Sequence, residues 1–467
     1  MVKRKIKLSV NSLIKLSKNR QFMHGQLEIC IKMKKILGSW IKNVVCYRVE
    51  RILWQLCHEV NTMQKEKKKK TWMKPRHRVV TALLKPIVAP FCCLRYGIRV
   101  DKFREQGSRN YLVLMNHQTP FDQFFIAMAF KGPVYYLATE DIFSLGWVSR
   151  LIQYLVEPIP IKKQTTDLKA VMNCLKVARE GGTVALAPEG NRTYSGRTEY
   201  MKSSIVPLAK KMKLPIALFR IEGGYGVQPR WSDVIRRGKM RACVSQVIEP
   251  EDYKNMSDEA LFEAIRTGLF VDEAKADGEF RHKKQAEFLE RAVYICPFCG
   301  LAEFESNDDI VTCKTCGRQV RHLPTKELKG VGFDFPFPFV GHWYDYQKDY
   351  MNHLDLTTMT DAPLFRDNGK LSEVHLYKRK KLLYKEVDIS LYGDRVLVQT
   401  PEGEINMPFA EMNASAVLGR NKLNIYFGDH VYQIYGGKRF NAMKYVNFFH
   451  RYQNIIKGEE NGEFLGL

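Results

Sequence analysis

The chain lacks an uninterrupted apolar run of the roughly 18 residues that a membrane-spanning helix needs; the nearest, Val79 to Leu94, is 16 residues long and contains Lys85, Pro86 and Pro90. A conventional transmembrane span is therefore not expected. After the basic start Met1-Val-Lys-Arg-Lys, residues Asn11, Ser12 and Lys15 break what would be an apolar signal core, so a cytoplasmic protein is expected. Glycine and proline are scarce, 31 and 19 of 467 residues, which excludes collagen-like and low-complexity chains. With 45% hydrophobic and 12% aromatic residues, a chain of this length suits several globular modules. Acidic residues are the other shortage: 50 against 74 Lys and Arg, a net charge of +24 that favours polyanionic partners.

That imbalance is local. Residues 1 to 80 hold 21 Lys and Arg against four acids. Within this arm, Val45, Val49, Ile52, Leu56 and Val60 recur at helical spacing among Lys42, Arg48 and Arg51, the pattern of a basic amphipathic helix on an anionic membrane. A solvated extension around Lys67–Lys70 fits the same residues. The arm is assigned to residues 1–78. Val79 to Leu94 then offers a proline-broken apolar segment able to dip into the membrane interface.

From residue 79 to 290 strand-like and helical patterns alternate: Tyr111 to Met115, a helix after Pro120, Val134 to Leu137, a helix from Asp167 to Glu180, Thr183 to Ala187, a helix from Ile205 to Lys213, and Pro215 to Phe219. This alternation predicts an α/β domain, a mixed sheet with flanking helices. A helical stretch from Ser257 to Arg291 leads out of it. Residues 326–365, with the Phe and Pro run Phe333 to Phe339, are expected as a linker. Residues 366–467 show short strands with turn signals at Gly393-Asp394, Pro401-Glu-Gly403, Gly428-Asp429 and Gly436-Gly437, then an amphipathic helix from Phe440 to Lys457. An all-β, barrel-like domain closed by one helix is expected.

Cys296-Pro-Phe-Cys299 and Cys313-Lys-Thr-Cys316 are two CxxC pairs 13 residues apart, each followed by a glycine. Two thiolates on each of two knuckles supply a closed tetrahedral site, so residues 291–325 read as a zinc ribbon holding one structural zinc. A redox pair is the competing interpretation. The other seven cysteines show no ligand spacing.

Asn116-His117-Gln-Thr-Pro-Phe-Asp122 follows a strand, where α/β sheets bind ligands, and a helix begun at Pro120 would fold Asp122 towards His117. Asp122 could then hold one ring nitrogen while the other takes a proton from a hydroxyl. A surface histidine beside a helix cap fits as well. At a second strand end, Glu189-Gly190-Asn191-Arg192 combines a glycine turn with a fixed cation suited to phosphate, Glu189 orienting the guanidinium. Pro158-Ile-Pro-Ile-Lys162-Lys163 ends a third strand with two further cations.

Together these blocks resemble the lysophospholipid acyltransferase family, over roughly residues 80 to 250. The family's H-x4-D block corresponds to His117 and Asp122, and its E-G-[TN]-R block to Glu189, Gly190, Asn191 and Arg192. The resemblance implies that His117 deprotonates a glycerol hydroxyl that attacks the thioester of acyl-CoA or acyl carrier protein, without an acyl-enzyme or a catalytic cofactor. Arg192, with Glu189 beside it and with Gly190, Asn191, Lys162 and Lys163, would hold the acceptor's phosphate. The apolar surface of Val79 to Leu94 and Phe124 to Phe130 would admit lipid chains. Lys162-Lys163 stand where the family commonly has an arginine, and Ser204 where it has glycine. 1-Acylglycerol 3-phosphate is the expected acceptor, with glycerol 3-phosphate, another lysophospholipid or a glycolipid still open. The C-terminal β-region resembles a pleckstrin-homology domain, with Lys378-Arg-Lys-Lys381 as a basic hairpin or a solvated turn. The resemblance thus implies a peripheral enzyme of phospholipid synthesis on the cytoplasmic face of an anionic membrane. The rival reading, a zinc-ribbon protein gripping nucleic acid or a partner, lacks a basic and aromatic stripe near the ribbon.

Overall fold

Short apolar runs buried on both faces are what parallel strands require, and they set the geometry of the first half of the chain. The computed structural model describes residues 71–467 apart from 145, 162–166, 376–379, 461 and 463–467. Residues 1–70 of the basic arm, with its expected amphipathic helix, and Lys162 and Lys163 lie outside the described residues, while the arm's last residues, 75–78, belong to the first helix. Helix α1 (Pro75–Tyr96) leads into a seven-stranded sheet: β1 (Ile98–Val100), β2 (Leu112–Met115), β3 (Val134–Thr139), β4 (Ile159–Ile161), β5 (Thr183–Leu186), β6 (Ile216–Glu222) and β7 (Met240–Ile248). Its order is β1-β7-β6-β2-β5-β3-β4, with every pair parallel except β6 and β7. Strand β2 is central and wholly buried.

Alternation along the strands divides the core in two. Leu112, Leu114, Val184, Ile216 and Leu218 pack with apolar residues of α4 (Leu168–Arg179), α5 (Ile205–Met212) and α6 (Asp258–Leu269). Their neighbours Val113, Met115, Ala185, Ala217 and Phe219 pack with Cys92 and Tyr96 of α1 and Phe125 and Ile126 of α2 (Asp122–Ala129). Helix α3 (Trp147–Val156) lies between β3 and β4 in the chain. The mixed α/β fold is thus observed; sequence patterning missed the three-residue strand β1 and also β7. Six of the nine residues of β7 are only partly buried or exposed, so it carries no apolar run.

Two sequence expectations fail here for physical reasons. Pro86 and Pro90 do not break the first apolar segment: α1 is a continuous helix of 22 residues, long and apolar enough to cross a membrane by length and composition. Pro75 occupies its first turn, where no amide donor is needed. Lys85 turns inward and donates to the Phe130 carbonyl at 3.0 Å, so its charge does not stop the helix. The stretch Ser257 to Arg291 is helical only over Asp258–Leu269, capped by Ser257; beyond it come irregular chain and a short turn at Leu289–Arg291.

The cysteine knuckles sit in a two-stranded ladder, β8 (Ile295–Cys296) with β9 (Gly300–Leu301), and a four-stranded antiparallel sheet, β10 (Phe304–Asn307), β11 (Ile310–Cys313), β12 (Gln319–His322) and β13 (Leu328–Gly330). Residues 326–365, expected as a linker, hold β13 and helix α7 (Val340–His353). Phe335 and Phe337 pack edge to face at 5.5 Å, and Phe335 contacts Trp343 at 5.0 Å. Phe333, Phe335 and Phe337 of the Phe and Pro run are therefore partly buried and packed against the core.

The C-terminal sheet comprises β14 (Phe365–Glu373), β15 (Lys381–Leu391), β16 (Arg395–Thr400), β17 (Gly403–Pro408), β18 (Met412–Leu418), β19 (Lys422–Phe427) and β20 (His430–Gly436). It is antiparallel, in the order β17-β16-β15-β14-β20-β19-β18. The first strand thus bonds to both the second and the last. Helix α8 (Ala442–Lys457), capped by Asn441, closes the chain's regular structure. Residues 376–379 of the basic hairpin are not described, whereas Lys380 Nζ donates to Gln433 Oε1 at 2.8 Å.

Trp343 is fully buried and its indole N–H donates to the Ile295 carbonyl at 2.8 Å. Replacing it by alanine should cost about 3–5 kcal/mol in a denaturant melt; a linker position would cost almost nothing.

Candidate active site

Strand β2 delivers Asn116 and His117 to the carboxyl end of the central strand. Asn116 clamps that end to β6, donating to the Ile221 carbonyl and accepting from the Ile221 N–H, both at 2.8 Å. His117 Nδ1 lies 2.8 Å from Asp122 Oδ2. Asp122 begins α2 and is fully buried. Its carboxylate also accepts the Gln118 N–H at 2.7 Å, the Thr119 N–H at 3.0 Å and the Thr119 hydroxyl at 2.6 Å. An acceptor held by so many donors fixes the proton on Nδ1 and leaves the Nε2 lone pair available. The ring keeps 25% of its surface open, enough for a reacting group to reach it. Burial pushes the His117 pKa below its ordinary value of 6.5, with Arg192 and Arg230 acting in the same direction against Asp122. The neutral imidazole is thereby favoured.

The second loop meets the first through Glu189. Its Oε1 accepts the His117 N–H at 2.9 Å and its Oε2 the Glu199 N–H at 2.8 Å. Both oxygens are thus engaged by backbone, which corrects the expectation that Glu189 orients Arg192. Gly190 takes φ 69°, a left-handed turn that favours glycine, and Asn191 is buried beside it. The Thr193 N–H donates to the His117 carbonyl at 3.1 Å, closing the two loops together. Arg192 is 9% exposed, and its Nη1 is buried with no hydrogen-bond partner among the described residues. Burial, then Arg230 and Arg420, push Arg192 below its ordinary pKa, an environment that calls for an anion.

Arg230, which sequence reasoning missed, supports this loop from outside the motifs. Its Nη1 donates to the Arg192 carbonyl at 2.9 Å and its guanidinium lies 4.4 Å from the Tyr194 ring centroid. Gln118, inside the first motif, was also overlooked: its side-chain oxygen accepts the N–H groups of Gly224 and Tyr225 at 2.8 and 3.2 Å. Neither residue has a spacing signal, since each acts on chain far away in sequence. The lipid-admitting role expected for Phe124 to Phe130 is narrowed, because Phe125, Ile126 and Phe130 are fully buried core. Phe121, next to the site, instead contacts Phe91 and Tyr96 of α1 at 5.9 and 5.0 Å.

The four motif cysteines do converge. All four sulfur atoms lie within 4.8 Å of one another, with Cys296 to Cys316 at 3.8 Å and Cys299 to Cys313 at 3.6 Å. Zinc–thiolate bonds of ~2.3 Å at tetrahedral angles place sulfurs at about these separations, so the residues fit a tetrahedral metal site. Of the remaining cysteines, Cys92 and Cys174 are buried, Cys243 is half-buried and Cys93 exposed. A separate cavity of about 300 Å³, lined by Glu290, Lys314, Asp367, Arg439 and Lys444 among others, lies away from His117. Its charges are taken up by the ion pairs Arg439–Glu290, Lys444–Asp367 and Lys314–Glu303.

Residues 98–221 match the family model described as Acyltransferase. The 1-acyl-sn-glycerol-3-phosphate acyltransferase of Bacillus subtilis (strain 168) is 18% identical over 178 residues, 38% of this chain and 86% of that protein. The crystal structure of the 1-acyl-sn-glycerophosphate (LPA) acyltransferase PlsC from Thermotoga maritima aligns at 20% identity and a TM-score of 0.37, covering 42% of this chain and 80% of that one. Strands β1 to β5, β6 up to Ile221 and both motif loops fall inside the matched segment, so the chain carries an Acyltransferase domain that is similar to those of the 1-acylglycerol-3-phosphate acyltransferases.

Proposed function

We propose that the protein moves a fatty acyl group from acyl-CoA or acyl carrier protein to the free hydroxyl of 1-acylglycerol 3-phosphate, forming phosphatidate at a membrane surface. One observation carries the reading: His117, its Nδ1 held by Asp122, lies within electrostatic reach of Arg192, whose buried Nη1 has no hydrogen-bond partner among the described residues. In this reaction Nε2 takes the acceptor's hydroxyl proton as the oxygen attacks the thioester carbonyl. The C–S bond then breaks, and the leaving thiolate takes the proton from the imidazolium. Asp122 holds the ring and offsets its transient charge, and Arg192 holds the acceptor's phosphate with Lys162 and Lys163 as further cations.

An apolar surface supports lipid access. On α1, Val79, Leu83, Ile87 and Leu94 are exposed, as are Trp147, Leu151 and Tyr154 on α3. The two helices meet where Arg76 Nε donates to the Tyr154 carbonyl at 2.9 Å and covers its ring. From this face Phe91 leads to Phe121, four residues beyond His117. We read it as a peripheral membrane contact on the cytoplasmic side, with the basic arm adding attraction to anionic lipid. The cysteine tetrad would hold one zinc ion, whose role is to fold its knuckles. The strand order of the C-terminal sheet and its closing helix favour a pleckstrin-homology-type module.

His117→Ala should reduce acyl transfer by ~10²–10⁴ with an unchanged melting temperature. In the wild type the rate should fall as pH drops through an apparent pKa below the ordinary 6.5, because protonation removes the base; an acid limb above pH 7 would contradict this assignment. Arg192→Ala should weaken lysophosphatidate far more than an acceptor without phosphate, read as KM for each. Chelating zinc should lower the melting temperature before it affects turnover; instant inhibition of a fully folded protein would indicate a catalytic metal. Leu83→Glu combined with Ile87→Glu should reduce sedimentation with anionic vesicles while leaving circular dichroism unchanged.

A further inference from the structure

Arg192 belongs to a cluster of guanidinium groups that two distant parts of the chain build together. Arg230 bridges them: while Nη1 holds the Arg192 carbonyl, its Nε donates to the Gly419 carbonyl at 3.1 Å and its Nη2 to the Val417 carbonyl at 3.0 Å. Those carbonyls belong to the end of β18 and the turn into β19. The next residue in that turn is Arg420, which lies within electrostatic reach of Arg192 and of Tyr96, the last residue of α1. Tyr96 in turn senses Arg192 and Asp122.

The cluster is short of negative charge. Asp122 is committed to His117 and to Gln118 and Thr119. Asp233 gives its closer contact, 2.7 Å, to Arg291 and stands 3.3 Å from Arg420 Nη1, long for a charge-assisted bond. Arg420 Nε is buried and, like Arg192 Nη1, has no hydrogen-bond partner among the described residues. The Arg420 side chain nevertheless keeps 28% of its surface open. Buried guanidinium nitrogens without acceptors are costly, and an anion that reaches both removes that cost. A phosphomonoester carries up to two negative charges and three free oxygens, enough to serve two guanidinium forks at once.

We infer that Arg420 is a second ligand for the acceptor's phosphomonoester, so that the turn between β18 and β19 completes the acceptor site of the α/β domain. The inference rests on the reading of Arg192 as a phosphate ligand. It gives the C-terminal sheet a part in choosing the acceptor: a phosphodiester head group offers fewer free oxygens and a single charge, and satisfies two arginines less well.

The test is steady-state acyl transfer by the full chain at saturating acyl-CoA, with lysophosphatidate and with a monoacylglycerol of the same chain, for wild type, Arg192→Ala, Arg420→Gln and Arg420→Lys. Arg420→Gln should raise KM for lysophosphatidate roughly tenfold or more, as expected for a lost hydrogen bond to a charged group, with kcat within about twofold. Monoacylglycerol kinetics should not change. Arg420→Lys should restore part of the loss, since the charge remains and the fork does not. Melting curves identify any variant that fails to fold, and the lysine variant then carries the test. If wild type does not prefer lysophosphatidate, the acceptor assignment itself fails. If wild type prefers it and Arg192→Ala abolishes the preference while both Arg420 variants behave as wild type, only the role of Arg420 is overturned. Equal KM increases for both acceptors would overturn it too.

Discussion

A buried carboxyl group needs hydrogen-bond donors for its oxygens, and Glu189 finds them in the backbone of two separate loops. Through Oε1 it fixes the N–H of His117, and through Oε2 that of Glu199. His117 and Arg192 therefore stand on loops tied to one side chain, with the Thr193 to His117 backbone bond closing the loops directly. The Asp122 hydrogen bonds then orient the ring within a frame that is already set. Glutamine at 189 would present one donor group where the frame needs two acceptors, so the requirement is for an acid as such.

Arginines that bind backbone carbonyls join the α/β domain to the cysteine knuckles and the C-terminal sheet. Arg230 reaches Val417 and Gly419, Arg236 donates to the Gln285 carbonyl at 2.5 Å, and Arg291 reaches the Lys438 and Trp231 carbonyls. All three side chains are almost fully buried. Tyr194, Tyr225 and Trp231 also share one apolar core with the cysteine knuckles, α7 and α8. The segment from Tyr194 to Arg236 is thus both the continuation of the active-site loop and the platform for the C-terminal sheet.

Much of this was legible in the sequence because the signals are local. Strands β2, β5 and β6 are apolar runs since both faces are covered; Gly393 and Gly428 fall between observed strands, Gly403 opens β17 and Gly436 ends β20. The CxxC spacing brings four sulfurs together, and His117 meets Asp122 because α2 starts at the aspartate. What escaped has a long-range cause. Proline tolerance in α1 depends on how the helix packs, and Lys85 is neutralised as an obstacle only by the carbonyl of Phe130. The phenylalanines at 333 to 339 look like a linker until Trp343 gives them a partner. Glu189 bears its motif, yet its partners are backbone groups that no motif encodes. Arg230 and Gly419 lie 189 residues apart, beyond any spacing rule.

The central claim is direct transfer from thioester to a phosphate-bearing hydroxyl with His117 as base. The most direct measurement is a single turnover of enzyme with radiolabelled acyl-CoA, first alone and then with lysophosphatidate, following free thiol and labelled products together. The account requires no thiol release and no label on protein in the absence of acceptor, then equal amounts of thiol and phosphatidate when acceptor is added. A stoichiometric burst of thiol with label retained on the protein, or thiol release without phosphatidate, would contradict it.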